Sequence, residues 1–263
     1  MVRHAAMKEE LICRKDEQKI NYLHFTMDDN LSLSEEIKER YRNQYSGVFY
    51  DRYIKGLWVI AEGIIYDMFD YNKHVKTNED IAPHLTKVFY VSCDYGTQNP
   101  TAFLLWRQGM DGKWRILKEY YYSGRATGTQ KTDAEFSADM RAWLGDITPR
   151  YVVLDPAAAS FKAQLEKDGF KVKKANNDVL DGIRYVATCL NEGSFFVDKT
   201  CVNLLAEFAS YIWDEKAADR GEDRPIKDHD HACDAERYFV HTLRLVKRDA
   251  SGDSKEDRFN MFL

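Results

Sequence analysis

The sequence predicts an α/β protein, a mixed sheet flanked by helices, with a small, mostly helical N-terminal extension. Two patterns and the chain length predict this class. Five short apolar or alternating runs between residues 88 and 174 have the length of strands. Segments with helical spacing of apolar residues follow the later runs. The 263 residues, 44% of them hydrophobic, suffice for one domain of ordinary size plus an appendage.

Residues 1–70 form the predicted extension. Ser34 is a typical helix N-cap, and the two glutamates that follow it place acidic groups in the first turn, so a helix is predicted to begin there. A second short helix is predicted at residues 48–55, and an extended or strand-like segment at residues 57–66. Polar residues and a proline interrupt the pattern between residues 70 and 86, where we place a boundary.

The domain predicted at residues 71–247 opens with three strands, the last two joined by an Asp111-Gly112 hairpin signal, so three antiparallel strands come first. Strands are predicted at residues 88–94, 101–107, 114–122, 151–154 and 171–174, with a short extended segment at 195–198. Helices are predicted at residues 132–144, 160–168, 179–190, 202–215 and 229–246. The first of these helices carries a capping box, Thr132 followed three residues later by Glu135. The element order is that of a ribonuclease H-like fold, and residues 248–263 are a polar tail.

Composition excludes several classes of protein. No run of about 18 apolar residues is present, so no membrane span is predicted, and the first ten residues lack the apolar core of a signal peptide. No Walker A motif is present, so no ATP binding by that route is expected. The five cysteines show no paired spacing, which is typical of reduced thiols in a cytoplasm.

A net charge of −5 argues against binding nucleic acid by non-specific electrostatics alone. It does not exclude a nuclease, because metal-binding carboxylates count against the total until cations neutralise them. Basic residues do cluster locally, although such groups are more often a solvated face than a DNA track. The clusters are Lys38, Arg40 and Arg42, and then Lys162, Lys167, Lys171, Lys173 and Lys174.

Three aspartates occupy positions where a metal-dependent nuclease places its ligands. Asp94 and Asp155 each end an apolar strand-like run, and Asp234 lies in the helical stretch near the C-terminus. If the fold brings them together, three like charges repel, and divalent cations relieve that repulsion. Two cations about 3.5–4 Å apart, held by carboxylates, are a known solution for phosphodiester hydrolysis. Both Mg²⁺ and Mn²⁺ suit such oxygen-rich sites.

Four further residues are accessory candidates. Asp230 lies four residues before Asp234 on the same helical face, as a ligand or as a helix cap, and His231 is favoured as a residue that orients a carboxylate or phosphate. Asn99, in the turn after Asp94, and Lys162, shortly after Asp155, are candidate DNA contacts. Because no base-reading helix or basic arm is evident, low sequence specificity is expected.

Three stretches of the chain resemble the C-terminal part of bacteriophage terminase large subunits. They are residues 45–59 with 61–66, then Asp94-Tyr95-Gly96 with residues 99–102 and residues 151–158, and finally residues 230–238. Their order and spacing together cover most of residues 25–245. The first stretch resembles the segment that ends the ATPase region and leads into the nuclease.

The resemblance implies a ribonuclease H-like, metal-dependent endonuclease that cuts double-stranded viral DNA during genome packaging. It implies that Asp94, Asp155 and Asp234 are the catalytic metal-binding triad, with His231 auxiliary, and that the charged loop at residues 216–227 is a mobile hairpin. It also implies a portal protein and a small terminase subunit as partners, and a packaging complex at the procapsid in the host cytoplasm. The missing Walker motif suggests a nuclease fragment with its linker, or a gene split from its ATPase.

Two other enzyme classes and a non-enzymatic role are also compatible with the sequence. An actin- or sugar-kinase-like ATPase shares the phosphate-loop-like Asp94-Tyr95-Gly96-Thr97, but no duplicated second domain is present. A resolvase- or transposase-type nuclease shares the fold order, but residues 25–66 argue against it. The third alternative is a scaffold in a packaging complex whose carboxylates are surface groups. Metal-dependent cleavage that is lost in Asp→Asn variants separates these classes.

Overall fold

The computed structural model describes residues 14–17, 19–59, 61–77, 85–97 and 99–245. In this part of the chain a seven-strand mixed sheet has the order β1-β7-β4-β3-β2-β5-β6. The strands are β1 (Val75–Lys76), β2 (Leu85–Asp94), β3 (Thr101–Gly109), β4 (Trp114–Tyr122), β5 (Val152–Leu154), β6 (Val172–Lys174) and β7 (Phe195–Asp198). β2, β3 and β4 are antiparallel, as the hairpin signal predicts. β5 lies parallel to β2, and β6 lies parallel to β5.

The helices follow the sequence pattern closely in the second half of the chain. They are α1 (Glu35–Gln44), α2 (Gly47–Tyr53), α3 (Tyr71–His74), α4 (Gly124–Thr127), α5 (Asp133–Leu144), α6 (Ala159–Lys167), α7 (Val179–Asn191), α8 (Val202–Ser210), α9 (Glu215–Ala218) and α10 (His231–Leu243). Two predicted caps are confirmed: the Ser34 side chain accepts a hydrogen bond from the backbone of Ile37, and Thr132 and Glu135 cap each other reciprocally. The predicted polar tail lies outside the described residues.

Three predictions of local structure were wrong. Residues 57–66 contain no strand among their described positions and make only an isolated bridge, Ile64 with Ile212. The helix predicted at 202–215 ends at Ser210, because Ile212 and Trp213 turn into extended bridges with Ile64 and Pro225. The charged loop that follows begins with the short helix α9. By contrast, the extended segment predicted at 195–198 is confirmed: it is strand β7, paired with β4 and β1.

The sheet separates two hydrophobic layers, because side chains alternate between its faces. Leu104 and Trp106 of β3 face the layer that contains α7, α8 and α10, whereas Phe103 and Leu105 face the layer that contains α5 and α6. The Trp106 ring stacks on Phe239 of α10 with ring centroids 4.2 Å apart, which fixes that helix against the middle of the sheet.

The N-terminal extension packs into the first of these layers. Phe49, Ile65 and Tyr66 are buried in the same cluster as Tyr211 and Trp213, so this part of the extension shares a core with the sheet domain. No helix in the described ranges has the length and apolar character needed to cross a membrane. Four cysteines, at positions 93, 189, 201 and 233, are buried free thiols.

Candidate functional site

Two of the predicted aspartates lie at the same edge of the sheet because their strands are adjacent and parallel. Cys93 of β2 is in register with Leu154 of β5. Asp94 is the last residue of β2, and Asp155 immediately follows β5, so both extend from the carboxyl ends of neighbouring strands. Functional side chains of α/β folds commonly gather at such an edge.

Helix α10 brings the third aspartate to this edge. Its first residue, His231, places its ring Nδ1 2.9 Å from Oδ2 of Asp94. A protonated Nδ1 at this distance donates to the carboxylate, a contact compatible with the orienting role predicted for His231. Asp234 lies one turn further along the same helix and is buried.

Tyr238, one further turn along α10, links the helix to the remaining aspartate. Its hydroxyl donates a hydrogen bond of 2.8 Å to Oδ2 of Asp155. Burial, followed by the negative charges of Asp94, Asp234 and Asp155, raises the pKa of the Tyr238 phenol. One side chain therefore lies within electrostatic reach of all three aspartates. The sequence alone did not identify it, although its i+4 spacing from Asp234 was available as a signal.

A cleft of about 690 Å³ opens beside α10. Asp94, Asn99, Asp230, His231 and Asp234 line it, so five of the seven predicted site residues meet there. Asp155 does not line this cleft; its carboxylate instead accepts from Tyr238 and from the backbone N–H of Ala157. In the described ranges, no three acidic, histidine or cysteine side chains converge closely enough to hold a metal ion as the side chains stand.

Lys162 lies outside the cleft. It is on the exposed face of α6, with its ammonium 3.2 Å from Oε1 of Glu166 one turn later. Asn99 is exposed at the cleft wall, in the turn between β2 and β3. That turn is tight: a Cβ on Gly96 would lie 2.9 Å from the carbonyl oxygen of Asn99, so only glycine permits this approach of the two backbones.

The pKa values of Asp94 and Asp234 shift in opposite directions. Burial, together with the charges of Asp234 and Asp230, raises the pKa of Asp94 to about 6 despite the opposing contact with His231. Burial also acts to raise the pKa of Asp234, but Arg237 and Lys227 outweigh it and hold that pKa below its usual range. For Asp234 the cationic side chains outweigh burial, whereas for Asp94 burial outweighs the contact with His231.

Lys227 supplies positive charge directly to the acidic residues. Its ammonium lies 2.9 Å from Oδ2 of Asp234 and 3.1 Å from Oδ2 of Asp230. Asp230 is the N-cap residue of α10, but its side chain makes no capping hydrogen bond to the helix. The ammonium thus contacts two carboxylates that could otherwise face a divalent cation.

Glu207 of α8 accepts the capping hydrogen bond at the start of α10 that the Asp230 side chain does not make. Its Oε2 accepts from the backbone N–H of Cys233 at 2.9 Å, in the first turn of α10, and Tyr121 donates to its Oε1 at 2.9 Å. Burial raises the pKa of Glu207 to about 7. No sequence pattern pointed to this residue, because its partner lies on a helix that only the tertiary fold brings alongside.

Arg237 fixes Asp234 from inside the protein. It is almost fully buried and donates to Oδ1 of Asp234 at 2.8 Å and to the carbonyls of Asn177 and Asp178 at 3.1 and 3.0 Å. The arginine passes over Gly182 of α7, where a Cβ would lie only 2.7 Å from its Cγ. The opposite oxygen, Oδ2, is the one directed to Lys227.

The donor set fits hard divalent cations. Carboxylate oxygens are the ligands such cations prefer, and burial together with the charges of Asp234 and Asp230 raises the pKa of Asp94 despite its contact with His231. Asp94, Asp155 and Asp234 would hold the cations, with Asp230 as an additional oxygen donor. A cation bound at Oδ2 of Asp234 would have to displace the ammonium of Lys227, which lies 2.9 Å from that oxygen.

Residues 91–243 match the family model described as a terminase RNaseH-like domain. The large terminase of a thermophilic bacteriophage is 52% identical, over 92% of this chain and 61% of that chain, with a TM-score of 0.81. The same protein in complex with ADP matches at 53% identity, over 90% of this chain and 59% of that one, with a TM-score of 0.80.

The P22 large terminase nuclease domain shares the fold at 20% identity, over 71% of this chain and 95% of that chain, with a TM-score of 0.55. No curated protein matches the chain. The chain spans about three fifths of the length of the thermophilic phage's large terminase.

Proposed function

We propose, from the premise that this chain belongs to the family of terminase RNase H-like domains, that it is a two-metal endonuclease that hydrolyses phosphodiester bonds of double-stranded DNA. The observation that supports this most strongly is the arrangement around Tyr238. A single helix carries Asp234 and a tyrosine that binds Asp155, and its first residue binds Asp94. Three aspartates distant in sequence are thereby connected at one edge of the sheet.

Bound divalent cations supply an activated water and stabilise the leaving oxygen in this class of reaction. The chain's own residues prepare that chemistry. Asp94, Asp155 and Asp234 would hold the cations, and Arg237 and Tyr238 fix the orientations of the Asp234 and Asp155 carboxylates. His231 orients Asp94. Asn99, on the cleft wall, contacts a DNA phosphate and positions the backbone without reading sequence.

The biological setting follows from the family. We propose that the chain cuts viral DNA as the nuclease part of a terminase large subunit during genome packaging. The portal protein and the small terminase subunit are its proposed partners, at the procapsid in the host cytoplasm. The family match favours this function over the actin- or sugar-kinase-like ATPase and over a resolvase or transposase.

Plasmid cleavage tests the proposal. Supercoiled plasmid is incubated with the purified chain in Mn²⁺, Mg²⁺ or EDTA, beside Asp155→Asn and the matched control Asp146→Asn, which changes an exposed aspartate outside the site. We expect metal-dependent nicking and linearisation by the wild type and the control, and none by Asp155→Asn. Cutting that persists in EDTA, or a folded wild type inactive with every metal, contradicts the proposal.

The cut positions test a second part of the proposal. Mapping the ends of linearised plasmid should show cleavage scattered over many sequences, because the proposed contacts are to backbone phosphates. Cleavage confined to one sequence motif would mean that the chain reads bases.

A further inference from the structure

A second charged surface lies at the opposite end of the sheet from the aspartates. There a groove of about 500 Å³ is lined by four cationic side chains, Lys87, Arg141, Arg150 and Lys171, which we call the basic groove. Apolar residues, including Phe89 and Phe170, also line it. Lys87 precedes Asp94 by seven residues on the same strand, so the groove lies roughly 23 Å from that carboxylate at the usual rise of an extended strand.

The cations of this groove are poorly neutralised. In the described part of the chain, none of the four forms an ion pair with a carboxylate within 4.0 Å. The single acidic residue that lines the groove is Asp168, and its Oδ2 already accepts hydrogen bonds from Ser137 at 2.6 Å and Gln164 at 2.8 Å. In a chain with a net charge of −5, four such cations in one depression are a local exception.

Part of the groove is held in place before any ligand arrives. Arg141 donates to the carbonyl of Asp168, and its guanidinium lies 5.1 Å from the centroid of the Phe170 ring. The backbone of Arg150 is fixed by a 2.7 Å hydrogen bond to the carbonyl of Phe89. Lys87 and Lys171 remain exposed, with their ammonium groups available to solvent.

Edge strand β6 connects this groove with the aspartates. Lys173 and Arg150 both lie 5.8 Å from the centroid of the Tyr151 ring, so the strand continues directly from the groove. Lys174 is in register with Leu154, the residue before Asp155. Exposed lysines therefore lie along the outer strand between the groove and the site, with Lys173 and Lys174 on opposite faces of the sheet.

Lysines on an edge strand also discourage pairing with another sheet. That role would explain Lys173 and Lys174 but not the groove, because Lys87, Arg141 and Arg150 come from a different strand, a helix and a loop. A line of cations of about this length matches the backbone of a duplex, which carries one negative charge per roughly 1.7 Å of its axis.

We propose that the basic groove and β6 bind the phosphate backbone of the duplex that flanks the cut, about two thirds of a helical turn from the aspartates. This inference rests on the proposed function. The groove contributes affinity and sets the path of the DNA across the protein, and it makes no contact with the reacting phosphate.

DNA binding as a function of salt tests the inference. A labelled duplex about three helical turns long is titrated with the chain in EDTA, and anisotropy gives the affinity at several salt concentrations. Lys87→Gln with Lys171→Gln is compared with Lys73→Gln with Lys199→Gln, a pair of exposed lysines near the opposite edge of the sheet. Both pairs remove the same charge from exposed positions, so both variants are expected to fold.

We expect the groove pair to weaken binding about tenfold and to reduce the slope of log affinity against log salt by about 2, because each lost phosphate contact removes about 0.9. The control pair should bind like the wild type. Equal affinity and equal slope for the two pairs would overturn the inference.

Plasmid cleavage by the same variants separates this result from the proposed function. If the wild type cuts DNA in a metal-dependent way but the groove pair binds DNA as tightly as the wild type, the inference about the groove is wrong and the proposed nuclease function stands. If the groove pair weakens DNA binding but the wild type never cuts, the proposed nuclease function is wrong and the proposed DNA contact of the groove is supported.

Discussion

Burial and neighbouring negative charge act on Asp94 in the same direction. Its pKa of about 6 lies above the ordinary value, so folding stabilises the protonated form of Asp94 relative to the ionised form. Asp94 therefore contributes stability that is fully present below about pH 3.9 and is lost as the pH rises through 6. In the metal-free protein this loss is on the order of 2–3 kcal/mol.

Asp94→Asn should remove that loss while keeping a side-chain oxygen opposite His231. We expect the metal-free variant to gain stability relative to the wild type between about pH 5 and pH 7.5, because the amide never ionises. Urea unfolding of both proteins in EDTA at the two pH values measures the difference. A stability difference that does not change with pH would show that the fold does not raise the pKa of Asp94.

Lys227 contacts Asp230 and Asp234, two of the carboxylates proposed to face divalent cations. Replacing it with methionine should strengthen Mn²⁺ binding several-fold, because Asp230 and Asp234 then lack their ammonium partner. The metal-free variant should also be less stable, since those carboxylates repel each other. Isothermal titration measures the affinity, with Lys216→Met, an exposed lysine earlier in the same loop, as control. Weaker Mn²⁺ binding by Lys227→Met would instead make the lysine a supporting residue.

The residues of the candidate site differ in how well they can be predicted from the local sequence. Asp94 and Asp155 end apolar strands, and Asp234, His231 and Asp230 share one helical segment, so local pattern was enough to select them. Glu207 and Lys227 carry no local signal, because their partners are set by how α8 and the preceding loop pack against α10. The position of Asp155 outside the cleft is likewise a tertiary property.

Elements with strong local signals were predicted well. Caps located the starts of α1 and α5, and the Asp-Gly pair located the β3–β4 hairpin. The break after α8 could not be foreseen, because the apolar spacing continues through Trp213 while the backbone leaves the helix to bridge Ile64 and Pro225. Strand β7 is four residues long, too short for its periodicity to distinguish a strand from a loop.

Gly182 of α7 lies against Arg237 of α10, and this contact decides whether an alanine at position 182 raises or lowers stability. Alanine normally stabilises a helix relative to glycine by about 0.5–1 kcal/mol. At position 182, however, the new methyl group would meet Cγ and Cδ of Arg237 at 2.7 and 2.8 Å.

Gly182→Ala should therefore destabilise the protein by about 1–3 kcal/mol and disturb the hold of Arg237 on Asp234. Thermal unfolding gives the sign directly. A variant more stable than the wild type would show that the arginine moves aside freely, and that Asp234 is not fixed through this contact.

At the scale of the whole molecule, the N-terminal extension and the sheet domain share buried surface. Phe49 is 7% exposed and meets Trp213 edge-on, with ring centroids 6.3 Å apart. Arg52 also forms an ion pair with Asp223 in the loop before α10. These contacts couple residues of the extension to the part of the chain that carries the site.

Phe49→Ala should lower the free energy of unfolding by about 3–5 kcal/mol, because it leaves a cavity in the shared core. Unfolding should remain a single transition. Leu31→Ala, in the same extension but at a position 93% exposed, should change stability by less than about 0.5 kcal/mol. A separate early transition in Phe49→Ala would show that the extension unfolds independently of the sheet domain.

We propose that the fold assembles one metal site from Asp94, Asp155 and Asp234, and Asp155 tests this claim most sharply because it lies outside the cleft. The decisive measurement is Mn²⁺ titration of the wild type, Asp155→Asn and Asp146→Asn by calorimetry. We predict saturable binding by the wild type and by Asp146→Asn, with affinity reduced at least tenfold in Asp155→Asn. Wild-type Mn²⁺ binding by a folded Asp155→Asn would contradict the claim and leave the metal to the residues of the cleft alone.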